Sequence, residues 1–289
     1  MSPRLLPRLA LGLLLLAACG RVEPAARVPQ RIVALAPSNV EILFALGLGG
    51  RVVGVGNYCT YPPETSSRPQ LGGLFDPNLE ALVALRPDLV VLAVSERDLA
   101  AKVAGLGIPS LVVGSDGVRE IAAAIPTIAD RCGVAEAGHG LLARFEHDLA
   151  PLPPRPGPPP RVLVTFERSP GRIAEVLAAG PGSYPAELLA RAGVVNVVAD
   201  APSAYPKLSL ETILARKPDF ILELSGEEPS QELTERLLAD WQAYPEIPAV
   251  AAGRVRILAG SHTLVPGPRL PLLYRQLQEA LGLDRGTAR

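Results

Sequence analysis

Two segments of the chain repeat each other, and this repeat constrains the fold more than any other feature. Residues 79–91 and 210–222 read LEALVALRPDLVV and LETILARKPDFIL, with five identical positions that include a Pro-Asp pair in register. Two further pairs of segments recur in the same order: residues 31–35 with 161–165, and 41–47 with 187–193. A Leu-Glu pair alone is a common beginning of a helix, whereas three matching segments in one order indicate a duplication. The chain is therefore predicted to form two similar lobes that face each other across a cleft.

Apolar runs alternate with helical patterns along the first half. The runs lie at residues 32–36, 52–55, 89–94 and 108–113, and the same alternation restarts at Arg161. Strands that are apolar on both faces are typical of parallel sheets covered by helices. We predict an α/β fold of two doubly wound lobes with mostly parallel sheets, joined by a single long bridging α-helix, with the ligand cleft between the lobes.

Two helix beginnings carry capping signals. Ser38 is predicted to cap one helix, with Glu41 three residues later completing a capping box. Asn78 is predicted to cap the next helix, which places Glu80 in its first turn, where the helix dipole favours a carboxylate.

A proline-rich segment separates the two halves. Residues 119–149 have a helical pattern with predicted breaks near Pro126 and at Gly133, and residues 151–160 contain seven prolines. Proline fixes φ and has no N–H group, so this segment is predicted to be a stiff connector. The predicted divisions are 1–19 (signal peptide), 20–29 (flexible tether), 30–132 (N-terminal lobe), 133–160 (bridging helix and proline-rich connector) and 161–284 (C-terminal lobe).

The N-terminus has the pattern of an export signal. Arg4 and Arg8 precede an apolar run at residues 9–18, which is too short to span a bilayer. The run ends in Leu-Ala-Ala-Cys19, which resembles the lipobox of bacterial lipoproteins, in which the cysteine is lipidated. The alternative is an ordinary export signal cut near Ala18. The protein is predicted to be extracytoplasmic and anchored to a membrane through Cys19.

Charge and cysteine spacing argue against several functions. The 28 basic and 29 acidic residues nearly balance, and no basic patch stands out, so nucleic acid is not an expected partner. Beyond Cys19 the chain has Cys59 and Cys132, without a Cys-x-x-Cys pair, which argues against a structural zinc site. Whether these two cysteines form a disulfide is left open.

Five segments in one order resemble a family. They are residues 31–47, 53–63, 72–88, 208–219 and 266–269. Together they resemble the substrate-binding proteins of ABC importers for cobalamin, haem or iron-siderophores, and most of all the cobalamin-binding members. The resemblance implies two α/β lobes joined by a rigid helix.

The resemblance also implies a partner for the repeated glutamates. In that family one glutamate on each lobe contacts arginines of a dimeric permease, and Glu80 and Glu211 match those positions. A pair of carboxylates related by a pseudo-twofold axis suits a twofold-symmetric partner. The alternative is that both only stabilise their own helices. The binding protein itself is expected to be a monomer.

Loops after the strands are predicted to hold the ligand. The candidate residues are Ser38, Tyr58, Phe75, Phe166, Arg168, Tyr205 and His262. Aromatic side chains in loops suit a flat macrocycle. We expect cobalamin or another corrinoid first, then haem, then a ferric siderophore, each as transported ligand and not as catalyst. His262 is either an axial ligand to the metal of the macrocycle or a hydrogen-bonding residue.

Two other classes of function remain as alternatives. A chelatase-like enzyme of two lobes is one, but an export signal argues against it, and no nucleotide-binding or nucleophile motif is present. An anchored protein that stores its ligand without a permease is the other. The expected protein is not an enzyme.

Overall fold

A computed structural model of the chain describes residues 27–73, 76–171 and 173–283. The N-terminal half comprises β1 (Ile32–Ala34), α1 (Pro37–Ala45), β2 (Val52–Val55), α2 (Leu79–Ala84), β3 (Leu89–Ala93), α3 (Arg97–Gly105), β4 (Ser110–Val113), α4 (Val118–Arg131) and α5 (Ala135–Asp148). The C-terminal half comprises β5 (Arg161–Phe166), β6 (Glu175–Leu177), α6 (Tyr184–Arg191), β7 (Val195–Asn196), β8 (Lys207–Ser209), α7 (Leu210–Arg216), β9 (Phe220–Ser225), α8 (Gln231–Gln242), α9 (Pro248–Ala251), β10 (Val255–Ala259) and α10 (Leu270–Ala280).

Each half contains one four-stranded parallel sheet. The strand orders are β2-β1-β3-β4 and β10-β9-β5-β7, and every neighbouring pair in these two sheets is parallel. Helices lie between the strands in sequence, as parallel connections require. The predicted α/β fold is thereby confirmed. An antiparallel pair of β6 and β8 adds a small ribbon that the sequence pattern did not indicate.

The repeated Pro-Asp pairs have the same structural role in both lobes. Asp88 Oδ1 accepts a hydrogen bond from the Arg31 backbone N–H at 2.8 Å. Asp219 Oδ2 accepts one from the Arg161 backbone N–H, also at 2.8 Å. In each lobe the carboxylate before one strand holds the beginning of its parallel neighbour, so the sequence repeat is a repeat of local structure.

The residues before these Pro-Asp pairs also correspond. Arg86 and Lys217 have φ angles of 46° and 49°, and among the described residues they are the only non-glycine residues with positive φ. Both end the helix before a central strand. A left-handed backbone is unfavourable for residues with a Cβ atom, so its presence at equivalent positions is a second mark of the duplication.

The predicted cap of α2 is confirmed. Asn78 Oδ1 accepts a hydrogen bond from the Ala81 N–H at 2.9 Å, and Ser209 Oγ makes the equivalent contact with the Thr212 N–H in α7 at 3.3 Å.

Replacing Asn78 with alanine is expected to lower the free energy of unfolding by about 1 kcal/mol, because an N–H group of the first turn loses its acceptor. Urea unfolding would measure the change. Asn78→Asp keeps the acceptor and should stay close to the wild type. An equal loss in both variants would contradict the capping role.

The predicted capping box of Ser38 and Glu41 is wrong. Helix α1 begins at Pro37, the capping position is Ala36, and no side chain caps it. Ser38 therefore lies inside the first turn and is buried. Glu41 cannot reach back to the helix beginning because Arg269, from the other half of the chain, binds its carboxylate.

The predicted helix break at Pro126 is also wrong. Helix α4 continues through this proline. Proline removes one N–H donor from the helix ladder. The following residue, Thr127, donates from its hydroxyl to the Ala123 carbonyl at 2.7 Å, and the apolar face of α4 is buried on both sides of the proline.

One apolar cluster contains residues of both sheets. Ile32 of β1 and Val162 of β5 belong to it, while Val33 and Leu163, which alternate with them, belong to separate clusters of the two lobes. Helix α5 packs along α4, and α4 contacts elements of both lobes: α1, β4 and α6. The lobes are therefore joined through packed helices as well as through the connector.

Candidate ligand-binding site

A cavity of ≈ 670 Å³ lies between the two halves of the chain. Its walls come from the segments that follow β2 and β5, from β9 and β10 with the segments after them, and from α8. Doubly wound sheets hold ligands at the carboxyl ends of their strands. The N-terminal half contributes Tyr58 and Thr60, and residues from the C-terminal half include Glu167, Arg168, Glu223, Ser225, Glu227, Glu228, Ser261 and Leu264.

Aromatic side chains lie at and beside this cavity. Tyr58 is 67% exposed and belongs to the lining. Phe166 and Tyr205 form an edge-to-face pair with ring centroids 5.5 Å apart. Neither ring belongs to the lining, although Phe166 directly precedes Glu167, which does. The exposed face of Tyr58 offers contact area for an apolar ring system.

The pKa of the Tyr205 phenol is raised. Burial raises its pKa to about 12, and the carboxylates of Asp116 and Glu120 contribute to the rise. Both carboxylates belong to the N-terminal half, whereas Tyr205 belongs to the C-terminal half. The phenol is therefore neutral at physiological pH and can donate a hydrogen bond.

Arg168 lines the cavity, but its guanidinium is bound to protein groups. Nη1 donates to Asp240 Oδ2 at 2.6 Å and Nη2 donates to the Leu237 carbonyl at 2.9 Å. Nε lies 3.3 Å from Glu223 Oε2, an ion-pair distance without hydrogen-bond geometry. The guanidinium also lies 5.6 Å from the centroid of the Trp241 ring. Its charge is balanced by two carboxylates before any ligand arrives.

Glu223 is buried behind this arginine. It is 2% exposed, and its Oε2 accepts a hydrogen bond from Trp241 Nε1 at 3.1 Å. Burial raises the pKa of Glu223, while Trp241 and Arg168 oppose that rise. The other carboxylates of the lining, Glu167, Glu227 and Glu228, are exposed.

Four predicted ligand residues that the structure describes are not in the cavity lining: Ser38, Phe166, Tyr205 and His262. Ser38 is buried in α1. His262 Nε2 lies 3.0 Å from Gln276 Oε1 on α10, and burial lowers the pKa of its imidazole. Phe75 lies outside the described residues, as does Cys19. Ligand contacts by these residues stay predictions.

An ion pair between the lobes was missed by the sequence reasoning. Arg269 Nε donates to Glu41 Oε2 at 2.9 Å, and Nη2 donates to Glu41 Oε1. The guanidinium carbon lies 3.8 Å from the centroid of the Tyr61 ring, and Nη1 donates to Ser261 Oγ at 2.9 Å. Burial raises the pKa of Glu41, and Arg269 opposes the rise. Both residues lay in segments that carried the family resemblance, but nothing in the sequence paired them.

The two described cysteines are free and buried. Cys59 Sγ donates to the Leu35 carbonyl at 3.2 Å, and burial raises the pKa of this thiol to about 12. Over the described ranges, no group of three or more His, Cys, Asp or Glu side chains is arranged to hold a metal ion. The same ranges contain no helix long and apolar enough to cross a membrane.

Residues 32–261 match the periplasmic binding protein family. The chain belongs to this family. As a periplasmic binding protein it is grouped with extracytoplasmic transport components and not with enzymes, in agreement with the predicted resemblance.

Proteins similar to this periplasmic binding protein are named for two different ligands. A vitamin B12-binding protein of Vibrio cholerae serotype O1 is 27% identical over 249 residues, which cover 83% of this chain and 84% of the relative. The crystal structure of a periplasmic vitamin B12-binding protein of Vibrio cholerae has a TM-score of 0.71 at 26% identity, covering 90% of this chain and 99% of that one. A periplasmic haem-binding protein from Roseiflexus sp. RS-1 also has a TM-score of 0.71 at 26% identity, covering 87% and 97%.

Proposed function

We propose that this protein captures a corrinoid outside the cytoplasm and delivers it to the permease of an ABC importer. The observation that carries the proposal is the cavity between the lobes, at the carboxyl ends of both sheets, with the exposed ring of Tyr58 in its wall. A corrinoid offers a broad ring system for such a surface. The relatives named as vitamin B12-binding proteins support the same ligand.

Haem is the second candidate, because a haem-binding protein has a similar fold and identity. Haem carries two propionates, which require cations or hydrogen-bond donors. In the described lining the only cation is Arg168, and its guanidinium is bound to Asp240 and to the Leu237 carbonyl. Because this guanidinium already has partners within the protein, the lining favours a corrinoid over haem. A ferric siderophore that carries negative charge meets the same obstacle.

The permease is proposed to dock on Glu80 and Glu211. Both side chains are exposed and lie in the first turns of the equivalent helices α2 and α7. Charge pairs of this kind mainly set orientation and encounter rate. We further propose anchoring through a lipidated Cys19, a monomeric state, and the lobe division at residues 133–160, as predicted.

Titration of the purified protein with cyanocobalamin, followed by visible absorption or calorimetry, tests the ligand. Saturable binding at one site is the expected result. Haemin as the better ligand would favour the second candidate, and binding of neither compound would contradict the proposed function. Stimulation of a reconstituted importer by the loaded protein would separate import from storage.

Tyr205→Ala is expected to weaken cyanocobalamin binding by about tenfold, because a half-exposed aromatic ring at the cleft loses its contact area. Tyr205→Phe keeps the ring and should stay within about threefold of the wild type. Calorimetric dissociation constants of the three proteins would decide. Unchanged affinity in the alanine variant would remove Tyr205 from the site.

A further inference from the structure

The charges of the cavity wall do not cancel. Four carboxylates and one guanidinium belong to the described lining. The guanidinium of Arg168 contacts Glu223 within the wall and Asp240 behind it. Two acidic partners thus surround one cation, and the exposed carboxylates of the lining remain without an opposing charge in the wall.

The loop after β9 contacts one of these exposed carboxylates and the backbone of a second residue. Glu167 Oε2 accepts a hydrogen bond from the Gly226 N–H at 3.2 Å. Ser225 Oγ donates to the Glu227 carbonyl at 2.8 Å, which fixes the backbone of the next residue pair. Glu167, Glu227 and Glu228, all exposed and all in the lining, are called the acidic rim.

Carboxylates on the opposite lobe have the same sign. Asp116 and Glu120 are close enough to Tyr205 to affect the phenol electrostatically. Neither belongs to the described lining of the cavity, so the negative charge of its wall comes from the glutamates of the lining. A cleft with walls of low dielectric strengthens such a field relative to open water.

We infer that the acidic rim of Glu167, Glu227 and Glu228 selects the ligand by charge, admitting an uncharged or cationic macrocycle with hydrogen-bond donors at its edge and rejecting one with carboxylates there. A corrinoid with intact primary amides has the accepted chemistry, and those amides can donate to the rim. A dicarboxylate porphyrin has the rejected chemistry. This inference rests on the proposed function and adds the residues that set its specificity.

A matched pair of ligands tests the inference directly. Cyanocobalamin and its monocarboxylic acid derivatives differ only in one edge amide, which is replaced by a carboxylate. The wild type is expected to bind the acids about tenfold more weakly at low ionic strength. The ratio of the dissociation constants of the acids and of cyanocobalamin should fall as the salt concentration is raised, because added ions screen the charge of the exposed rim.

A triple variant assigns the effect to the rim. Glu167→Gln, Glu227→Gln and Glu228→Gln together should reduce the ratio of the dissociation constants of the acids and of cyanocobalamin to about twofold, whatever the change in cyanocobalamin affinity itself. The control removes the same net charge elsewhere: Glu136→Gln, Glu146→Gln and Glu175→Gln, which are exposed and outside the lining. The control should retain the discrimination of the wild type.

The possible failures can be told apart. If cyanocobalamin binds and its acids bind equally well, the charge selection is wrong and the proposed function stands. If the control triple loses discrimination as fully as the rim triple, net charge and not the rim is responsible, and the inference is overturned. If neither corrinoid binds, the inference and the proposed function fail together.

Discussion

Simultaneous replacement of Glu80 and Glu211 by alanine is expected to abolish ligand uptake while leaving cyanocobalamin affinity within about twofold of the wild type. The two carboxylates lie in the first turns of α2 and α7, away from the cavity lining. Each contributes only about 0.3–1 kcal/mol to its own helix through the helix dipole, so the variant should fold. Uptake into vesicles with a reconstituted importer, and the ATPase rate, would measure the loss.

The single variants and a control define the docking role. Each single alanine variant should retain partial uptake, because one lobe still offers its carboxylate to the permease. Glu136→Ala with Glu146→Ala removes two exposed carboxylates from α5 and should leave uptake intact. Full uptake by the Glu80 and Glu211 double variant would show that docking uses another surface.

Arg269→Met is expected to lower the free energy of unfolding by about 3–5 kcal/mol, because it leaves the buried carboxylate of Glu41 without its partner. The change also removes the hydrogen bond to Ser261 and the contact with the Tyr61 ring. Denaturant unfolding at neutral pH would measure it.

A double-variant cycle separates the ion pair from simple packing loss. Glu41→Gln in the Arg269→Met background removes the unpaired charge and should recover part of the stability. Acidic pH should also narrow the difference between Arg269→Met and the wild type, because protonation of Glu41 neutralises the orphaned carboxylate. A loss below about 1 kcal/mol at neutral pH would show that the pair is not coupled to folding.

The parts of the fold that were predictable are those with local signals. The Pro-Asp repeat predicted two equivalent pairs of strands, and Asp88 and Asp219 make the same backbone contact in their own lobes. Asn78 was predictable as a cap because capping needs only a short acceptor side chain at the helix beginning. The apolar runs marked the central parallel strands for a similar reason, since burial on both faces excludes polar residues.

The missed features depend on residues far apart in the chain. Ser38 and Glu41 have the spacing of a capping box, but Arg269, 228 residues from Glu41, takes the carboxylate. Arg168 was predicted to bind the ligand, and the sequence gives no sign that its guanidinium lies between Asp240 and Glu223. An ion pair between side chains that are distant in sequence produces no periodic pattern. Composition alone does not distinguish an arginine that is paired within the protein from one that is free to bind a ligand.

The apolar cluster that contains residues of both sheets affects how vacant protein interacts with the permease. Parting the lobes about a hinge would divide an apolar cluster that contains residues of both sheets, so vacant and loaded copies should have nearly the same shape. A permease that recognises this shape would also bind vacant copies. Where the protein is more abundant than its ligand, vacant copies would then occupy the permease and slow import, so import is expected to be fastest when the two are present in similar amounts.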